Sequence, residues 1–259
     1  MVSRIHTYLK SFGINFKLLL NSFRGIPVFL KNYVAIKKQI KKSTDFKIRG
    51  IYPCLTDRFE TAGEISLQYA YQDLFIAGKI FHRNPRNHVD IGSRIDGLVT
   101  HVAAFREIEV FDIRRFAVPM HNIKFKQADL MNQNFNFVNY CDSVSSLHAI
   151  EHFGLGRYGD KIDADGHIKG INNITKMLEP KGKFYFSVPI GPQRIEFDAH
   201  RVFSVRYLIN LFNKTFKIDS FSIINDDNIF YPEVMLEEDK IESNFNCNYG
   251  CGIFELTKL

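Results

Sequence analysis

Three aspartates stand where short apolar runs end. Asp90 lies in His88-Val89-Asp90-Ile91, Asp112 follows Ile108-Glu109-Val110-Phe111, and Asp129 follows the run centred on Ile123 to Phe125. Gly92 permits a tight strand-to-helix turn with close backbone approach to a ligand, and the helix N-terminus behind it favours an anionic group. Asp112 comes 22 positions after Asp90, near the roughly 20-residue spacing at which a second-strand carboxylate accepts hydrogen bonds from ribose hydroxyls. Asp129 is placed to accept from an adenine amino group. His152 and His200 follow two later strand ends. Imidazole has the ordinary pKa nearest neutrality, so both are candidates for taking a proton from an acceptor hydroxyl, with Glu151 and Asp160 as carboxylate alternatives. A histidine here can equally be a capping or core residue, and the sequence leaves the identity of the base open. His148 is read as structural.

The elements that must hold these groups alternate between strand and helix from Asn87 onward, which argues for a parallel sheet covered on both faces. A helix is expected from about Asp96 to Arg106. Cys141 to Ser146 reads as the fourth strand, a helix follows near Ile168 to Leu178, and Lys183 to Val188 reads as the fifth strand. Glu179-Pro180-Lys181-Gly182 marks a helix stop and turn. Phe216 to Phe221 and Gly252 to Leu256 supply two more strands, expected to pair as an antiparallel edge.

In this order the pieces resemble the class I S-adenosylmethionine-dependent methyltransferases. Asp90-Ile91-Gly92-Ser93 looks like their first motif, Asp112 like their ribose-binding acid, and Ala128-Asp129-Leu130 like their adenine-side motif. Ser146-Leu147-His148-Ala149-Ile150-Glu151-His152 resembles the stretch after their fourth strand. The likeness covers about residues 87–257. It implies an α/β Rossmann-like, seven-stranded, mostly parallel sheet in the order 3-2-1-4-5-7-6, with helices on both faces and a helical segment in front. It also implies S-adenosylmethionine as cosubstrate, held by Asp90, Gly92, Ser93, Arg94, Asp112, Asp129, Leu130 and Ser146. The longer run from His152 to Asp160, followed by Asp163-Ala164-Asp165-Gly166, is similar to a methyltransferase-like family of unknown function that often accompanies surface-polysaccharide biosynthesis. One position departs from the superfamily pattern: Arg94 stands where a second glycine is usual. Its guanidinium either pairs with the cosubstrate carboxylate or fills the space the cosubstrate needs. The absence of Gly-x-Gly-x-x-Gly counts against a nicotinamide-dependent enzyme.

The loop from Gly154 to Gly166 is rich in glycine and acid, and belongs at the mouth of such a site. Arg157 and Tyr158 are expected to hold a phosphorylated or glycosyl group by charge-assisted bonding and stacking. Asp160, Asp163 and Asp165 lack the later glutamate of a full calcium loop, and no metal is expected.

The 259 residues, 45% hydrophobic and 24% charged, exclude disorder and collagen-like fibres. Four cysteines, Cys54, Cys141, Cys247 and Cys251, are too scattered for a disulfide framework or a zinc site, which points to a reducing compartment. No apolar run reaches the roughly 18 residues a membrane span needs, and no secretory leader is expected. The net charge of +6 is uneven: residues 1–42 hold nine Lys or Arg, from Arg4 to Lys41 and Lys42, and no acid, leaving 25 basic against 28 acidic residues in the remainder. Phe12, Phe16, Leu19, Leu20 and Phe23 recur at helical spacing, and Gly25 with Pro27 is expected to divide this stretch into two short amphipathic helices. The two readings are a peripheral contact with an anionic membrane or membrane complex, and a helical cap with a solvated lysine face. The basic stripe does not continue into the body, so nucleic acid is not expected as a partner. The boundary is placed between residues 62 and 63. The expected protein is a cytoplasmic enzyme, at most peripheral on the inner membrane face, that methylates a hydroxyl of a saccharide or sugar precursor. The alternative is a methyltransferase-like scaffold of a glycan-assembly complex that has lost catalysis.

Overall fold

A computed structural model describes residues 8–40, 48–60 and 65–259, and the chain divides into two compact units between Ile65 and Ser66. Arg4, Lys41, Lys42 and the boundary expected at 62/63 lie outside the described residues.

In the first unit α1 (Phe16–Ile40) runs unbroken through Gly25 and Pro27, where a division into two helices was expected. Pro27 lies inside it. A proline removes one i to i−4 hydrogen bond and commonly costs about 3 kcal/mol in a helix interior, yet the helix here runs through it. Gly25 is required for closeness rather than for a break. A Cβ there would lie 2.0 Å from the Leu55 carbonyl oxygen, so only glycine lets residues 48–60 approach this face of α1.

In the second unit α2 (Leu67–Arg83) precedes the sheet. The strands are β1 (His88–Ile91), β2 (Ile108–Asp112), β3 (Ile123–Gln127), β4 (Cys141–Leu147) and β5 (Leu178–Ile190), then β6 (Arg194–Glu196), β7 (His200–Val202), β8 (Phe216–Ile224), β9 (Phe230–Tyr231) and β10 (Gly250–Lys258). Eight of them form one sheet in the order β3-β2-β1-β4-β5-β10-β8-β9. Its first seven positions reproduce the expected 3-2-1-4-5-7-6, with β10 antiparallel to both neighbours. The two-residue β9 adds an eighth strand at the edge. β6 and β7 form a separate hairpin.

Alternation along the strands feeds a core on each face. Val89, Ile91, Phe184 and Phe186 face the side covered by α4 (Gly166–Met177) and α5 (Val205–Phe212). Val110, Leu147 and Tyr185 face the side covered by α2 and by the segment after β1. That segment is not one regular helix over Asp96–Arg106. A kinked turn, Ile95–Val99, with Gly97 at φ −122° and ψ −118°, leads into the short α3 (Thr100–Ala103). The cause is a tertiary contact: a Cβ at Gly97 would stand 2.3 Å from Asp73 Oδ2 on α2, so the backbone passes close against a carboxylate. The turn expected at Glu179–Gly182 appears as a bulge within β5, where Lys181 takes φ +65° and the register against β4 jumps from Cys141↔Leu178 to Ser143↔Lys183.

Candidate active site

The turn after β1 forms the floor of the site. Gly92 takes φ +68°, and its N–H donates to Phe111 O at 2.9 Å, so the chain leaves β1 still tied to β2. A Cβ here would meet Ala149 Cβ at 3.0 Å. Beneath the turn Asp90 is fully buried. Its carboxylate accepts from Ser93 N (3.0 Å), Ser93 Oγ (2.7 Å) and Ser145 Oγ (2.5 Å), while burial pushes its pKa up to about 6. Ser93 Oγ accepts from Leu147 N, and Ser146 Oγ donates to Ile91 O, each at 3.0 Å. Asp90, Ser93 and Ser146 therefore brace the turn against β4, and they do not line the space above it. That bracing matters because a buried carboxylate and buried hydroxyls must be bonded to be tolerated.

Above the floor lies a cavity of about 510 Å³, inside the roughly 300–1,000 Å³ range of small-molecule sites. Gly92, Arg94, Asp112, Asp129 and Leu130 line one side of it. Asp112 closes β2, and its carboxylate accepts from Arg114 N (2.8 Å), Nε (3.0 Å) and a terminal guanidinium nitrogen (2.6 Å). Asp129 accepts from Met131 N at 2.8 Å. Arg94 does not fill the cavity. Its guanidinium turns to Asp96, with contacts of 3.0 and 2.6 Å, and lies 5.2 Å from the Tyr69 ring centroid.

The other side carries the ionisable groups. After β4, His148 takes φ +49° and its Nδ1 lies 2.9 Å from Glu151 Oε1, with both side chains almost wholly buried. Burial opposes a charge on His148, but Cys251 and the Glu151 carboxylate outweigh it and raise its pKa well above the ordinary value. Burial likewise opposes ionisation of Glu151, and His148 overcomes it and holds the carboxyl below its usual range. The geometry is thus a buried ion pair. His152 differs: its Nδ1 lies 2.6 Å from the Ala199 carbonyl, which fixes the proton on that nitrogen, and its Nε2 stands 3.8 Å from Glu151 Oε1. Burial lowers the pKa of His152 and of His200, leaving both neutral near pH 7. Their ring centroids are 6.3 Å apart, and His200 also lies 5.1 Å from Tyr249.

The rim comes from the loop after His152. Asp160 accepts from the N–H groups of Gly154 (2.7 Å), Gly156 (3.2 Å) and Tyr158 (3.2 Å), so its carboxylate is used in shaping the loop. Tyr158 stands between two guanidinium groups, 4.5 Å from Arg114 and 5.3 Å from Arg157, and Arg157 donates to Ala199 O at 3.0 Å. Behind the rim, Arg201 on β7 is buried and donates to Phe153 O (2.6 Å) and Ala164 O (3.0 Å). Among the described residues no group of three or more His, Cys, Asp or Glu is placed to hold a metal ion.

Arg114, Tyr69, Tyr249 and the contact of His148 with Glu151 are the parts that sequence reasoning missed. Arg114 carried a signal, since it stands two positions beyond Asp112. Tyr69 and Tyr249 carried none, because they reach the cavity from elements before β1 and just before β10.

No curated protein matches this chain. Among solved structures, the [4+2]-cyclase SpnF superposes with a TM-score of 0.50 at 11% identity, covering 75% of this chain and 85% of its own. Burkholderia thailandensis 1,6-didemethyltoxoflavin-N1-methyltransferase, solved with 1,6-didemethyltoxoflavin and S-adenosylhomocysteine, gives a TM-score of 0.50 at 14% identity and covers 72% and 78% respectively. These likenesses establish the Rossmann-like methyltransferase fold, which a cyclase also uses. The sequence match is to a family whose description names no chemistry. Residues 99–247, more than half of the chain, match the family described as Caenorhabditis protein of unknown function, DUF268, and the chain belongs to that family.

Proposed function

We propose that this chain is an S-adenosylmethionine-dependent O-methyltransferase whose acceptor is a hydroxyl of a saccharide or sugar precursor, used in surface-glycan biosynthesis. One observation carries the reading. A single cavity joins the Gly92 turn, Asp112 and Asp129 to a neutral histidine, His152, whose tautomer is set. S-adenosylhomocysteine bound in the Burkholderia thailandensis enzyme of the same fold supports the choice of cosubstrate. The residues present fit it. Asp112 would accept from its ribose hydroxyls, Asp129 from its adenine amino group, and the Gly92 backbone allows close approach. Once bound, it supplies an electrophilic methyl group on a sulfonium.

The chain's own part is to orient the acceptor and take its proton. With Nδ1–H committed to Ala199 O, the lone pair of His152 is on Nε2, the nitrogen that can receive a hydroxyl proton. Glu151 Oε1, 3.8 Å from that same nitrogen, favours by its charge the imidazolium that results. His148 holds Glu151 ionised for that task. Tyr249 offers an aromatic face on which a sugar ring can stack, whereas Tyr158 is already stacked by Arg114 and Arg157. The saccharide assignment draws its support from the Tyr249 ring and from the resemblance in residues 152–166.

A scaffold without catalysis is favoured by one observation: Arg114 already occupies both oxygens of Asp112. Calorimetric titration with S-adenosylmethionine and S-adenosylhomocysteine decides between them. Micromolar binding that is lost in Asp112→Ala supports the enzyme, after which methyl transfer is assayed on a panel of nucleotide sugars and oligosaccharides. No binding by the wild type, with binding gained in Arg114→Ala, would overturn it in favour of the scaffold. Transfer confined to amine acceptors would overturn the choice of a hydroxyl.

A further inference from the structure

α1 is amphipathic in an unusual way, because its outward stripe and its cations keep the same seven-residue period. At 100° per residue, Phe16, Leu20, Phe23, Pro27, Leu30 and Val34 fall on one line along the helix. The line is open to solvent: Leu20 is 62% and Phe23 63% exposed. Gly25, the one buried residue of α1, lies on the opposite side, held against Leu55. Along one flank of the stripe run Lys17, Arg24, Lys31 and Lys38, and α1 contains no Asp or Glu. Exposed apolar stripes of this size mark contact surfaces rather than ordinary solvated faces.

The charge pattern selects the occupant. A second copy of α1 laid against the stripe would bring either the same cations or apolar side chains opposite Lys17, Arg24, Lys31 and Lys38, never a carboxylate, so self-association is opposed by like charge or by unpaired charge. Nucleic acid would neutralise the cations but leave the phenylalanines in water. A bilayer with anionic headgroups satisfies both at once: the stripe buries about 5–10 Å into the boundary of headgroup and acyl chain while the cations stay at phosphate level. No helix among the described residues is long and apolar enough to cross a membrane, which fits lying in the interface rather than spanning it. We propose that α1 is an in-plane anchor for an anionic lipid surface, with the Phe16 to Val34 stripe inserted and the Lys17 to Lys38 row on the headgroups.

The test is flotation of the full chain with vesicles of phosphatidylcholine alone or with about 30% phosphatidylserine, at ~0.05 M and ~0.5 M salt. The wild type is expected to float with the anionic vesicles at low salt and to be largely released at high salt. Leu20→Glu with Phe23→Glu, and separately Lys31→Glu with Lys38→Glu, are each expected to reduce partitioning about tenfold or more. All four positions are exposed, so folding is retained, and S-adenosylhomocysteine titration of the second unit is the control. The proposal is overturned if the wild type does not bind anionic vesicles, or if either pair of substitutions leaves binding unchanged. It is also overturned if sedimentation shows a dimer that Leu20→Glu with Phe23→Glu dissolves while vesicle binding is absent, which assigns the stripe to a second copy.

Discussion

The two sides of the cavity are built by different rules. On the side of Gly92, Asp112 and Asp129, each group is settled by its immediate neighbours: Arg114 bonds Asp112, Met131 N–H bonds Asp129, and Asp96 holds Arg94. On the histidine side, partners come from far along the chain. His152 is fixed by Ala199, His200 lies against Tyr249, and His148 lies 5.0 Å from Tyr69. The side chains of the first side are thus set by near neighbours, on a turn that β2 and β4 brace, whereas those of the second are set only once β4, the β6–β7 hairpin and β10 have assembled. Binding and proton transfer should then fail separately.

His152→Ala puts that separation under the greatest strain. On whichever acceptor of the panel is methylated, turnover is expected to fall about 10²- to 10⁴-fold, while S-adenosylhomocysteine affinity by calorimetry stays as in the wild type. Because burial lowers the His152 pKa, the acid limb of the wild-type rate profile should fall below pH 6.5. A loss of affinity matching the loss of rate would break the comparison. Asp112→Ala is the reciprocal case. Loss of a hydrogen bond to a charged group is worth about 1.5–3 kcal/mol, so affinity should drop roughly 10- to 150-fold, with the melting temperature little changed.

A smaller effect concerns the buried pair. The His148 pKa is raised above 6.5, so its contribution to stability is complete below that pH and is lost as pH rises through the folded value. The Glu151 pKa is lowered from 4.5, so its contribution is complete above that pH and is lost as pH falls through the folded value. Thermal melts of wild type and Glu151→Gln should therefore differ most between pH 4.5 and 6.5 and converge on either side. A difference that does not vary with pH would show that the two groups are not an ion pair. The smallest change is expected for Arg94→Gly. An exposed pair such as Arg94–Asp96 contributes about 0–1 kcal/mol, so cosubstrate affinity should stay within about fivefold of the wild type. A large gain would mean that Arg94 enters the cavity in solution.

The same contrast explains what could be read from the amino-acid sequence. Strand ends announce themselves by composition, so Asp90, Gly92, Asp112 and Asp129 were found near them, while the order of the strands in the sheet came from the family resemblance. The roles of Asp90 and Ser93 were not visible, because their distinction from Asp112 depends on burial under the turn, which Ser145 on another strand completes. Tyr69 and Tyr249 had no local pattern to betray them. The kink at Gly97 escaped notice because its cause, Asp73, lies on a different helix. The continuity of α1 through Pro27 was missed for the opposite reason, since a strong local signal was overridden.

Arg201 gives the cavity wall a mechanical property. Its guanidinium joins β7 to the carbonyls of Phe153 and Ala164, so the hairpin carrying His200 and the loop carrying Arg157 and Tyr158 are fastened to one another at their base. Movement of one is therefore expected to carry the other. Hydrogen exchange should report a single opening rate for amides in 153–164 and 199–202, and Arg201→Met should split it into two.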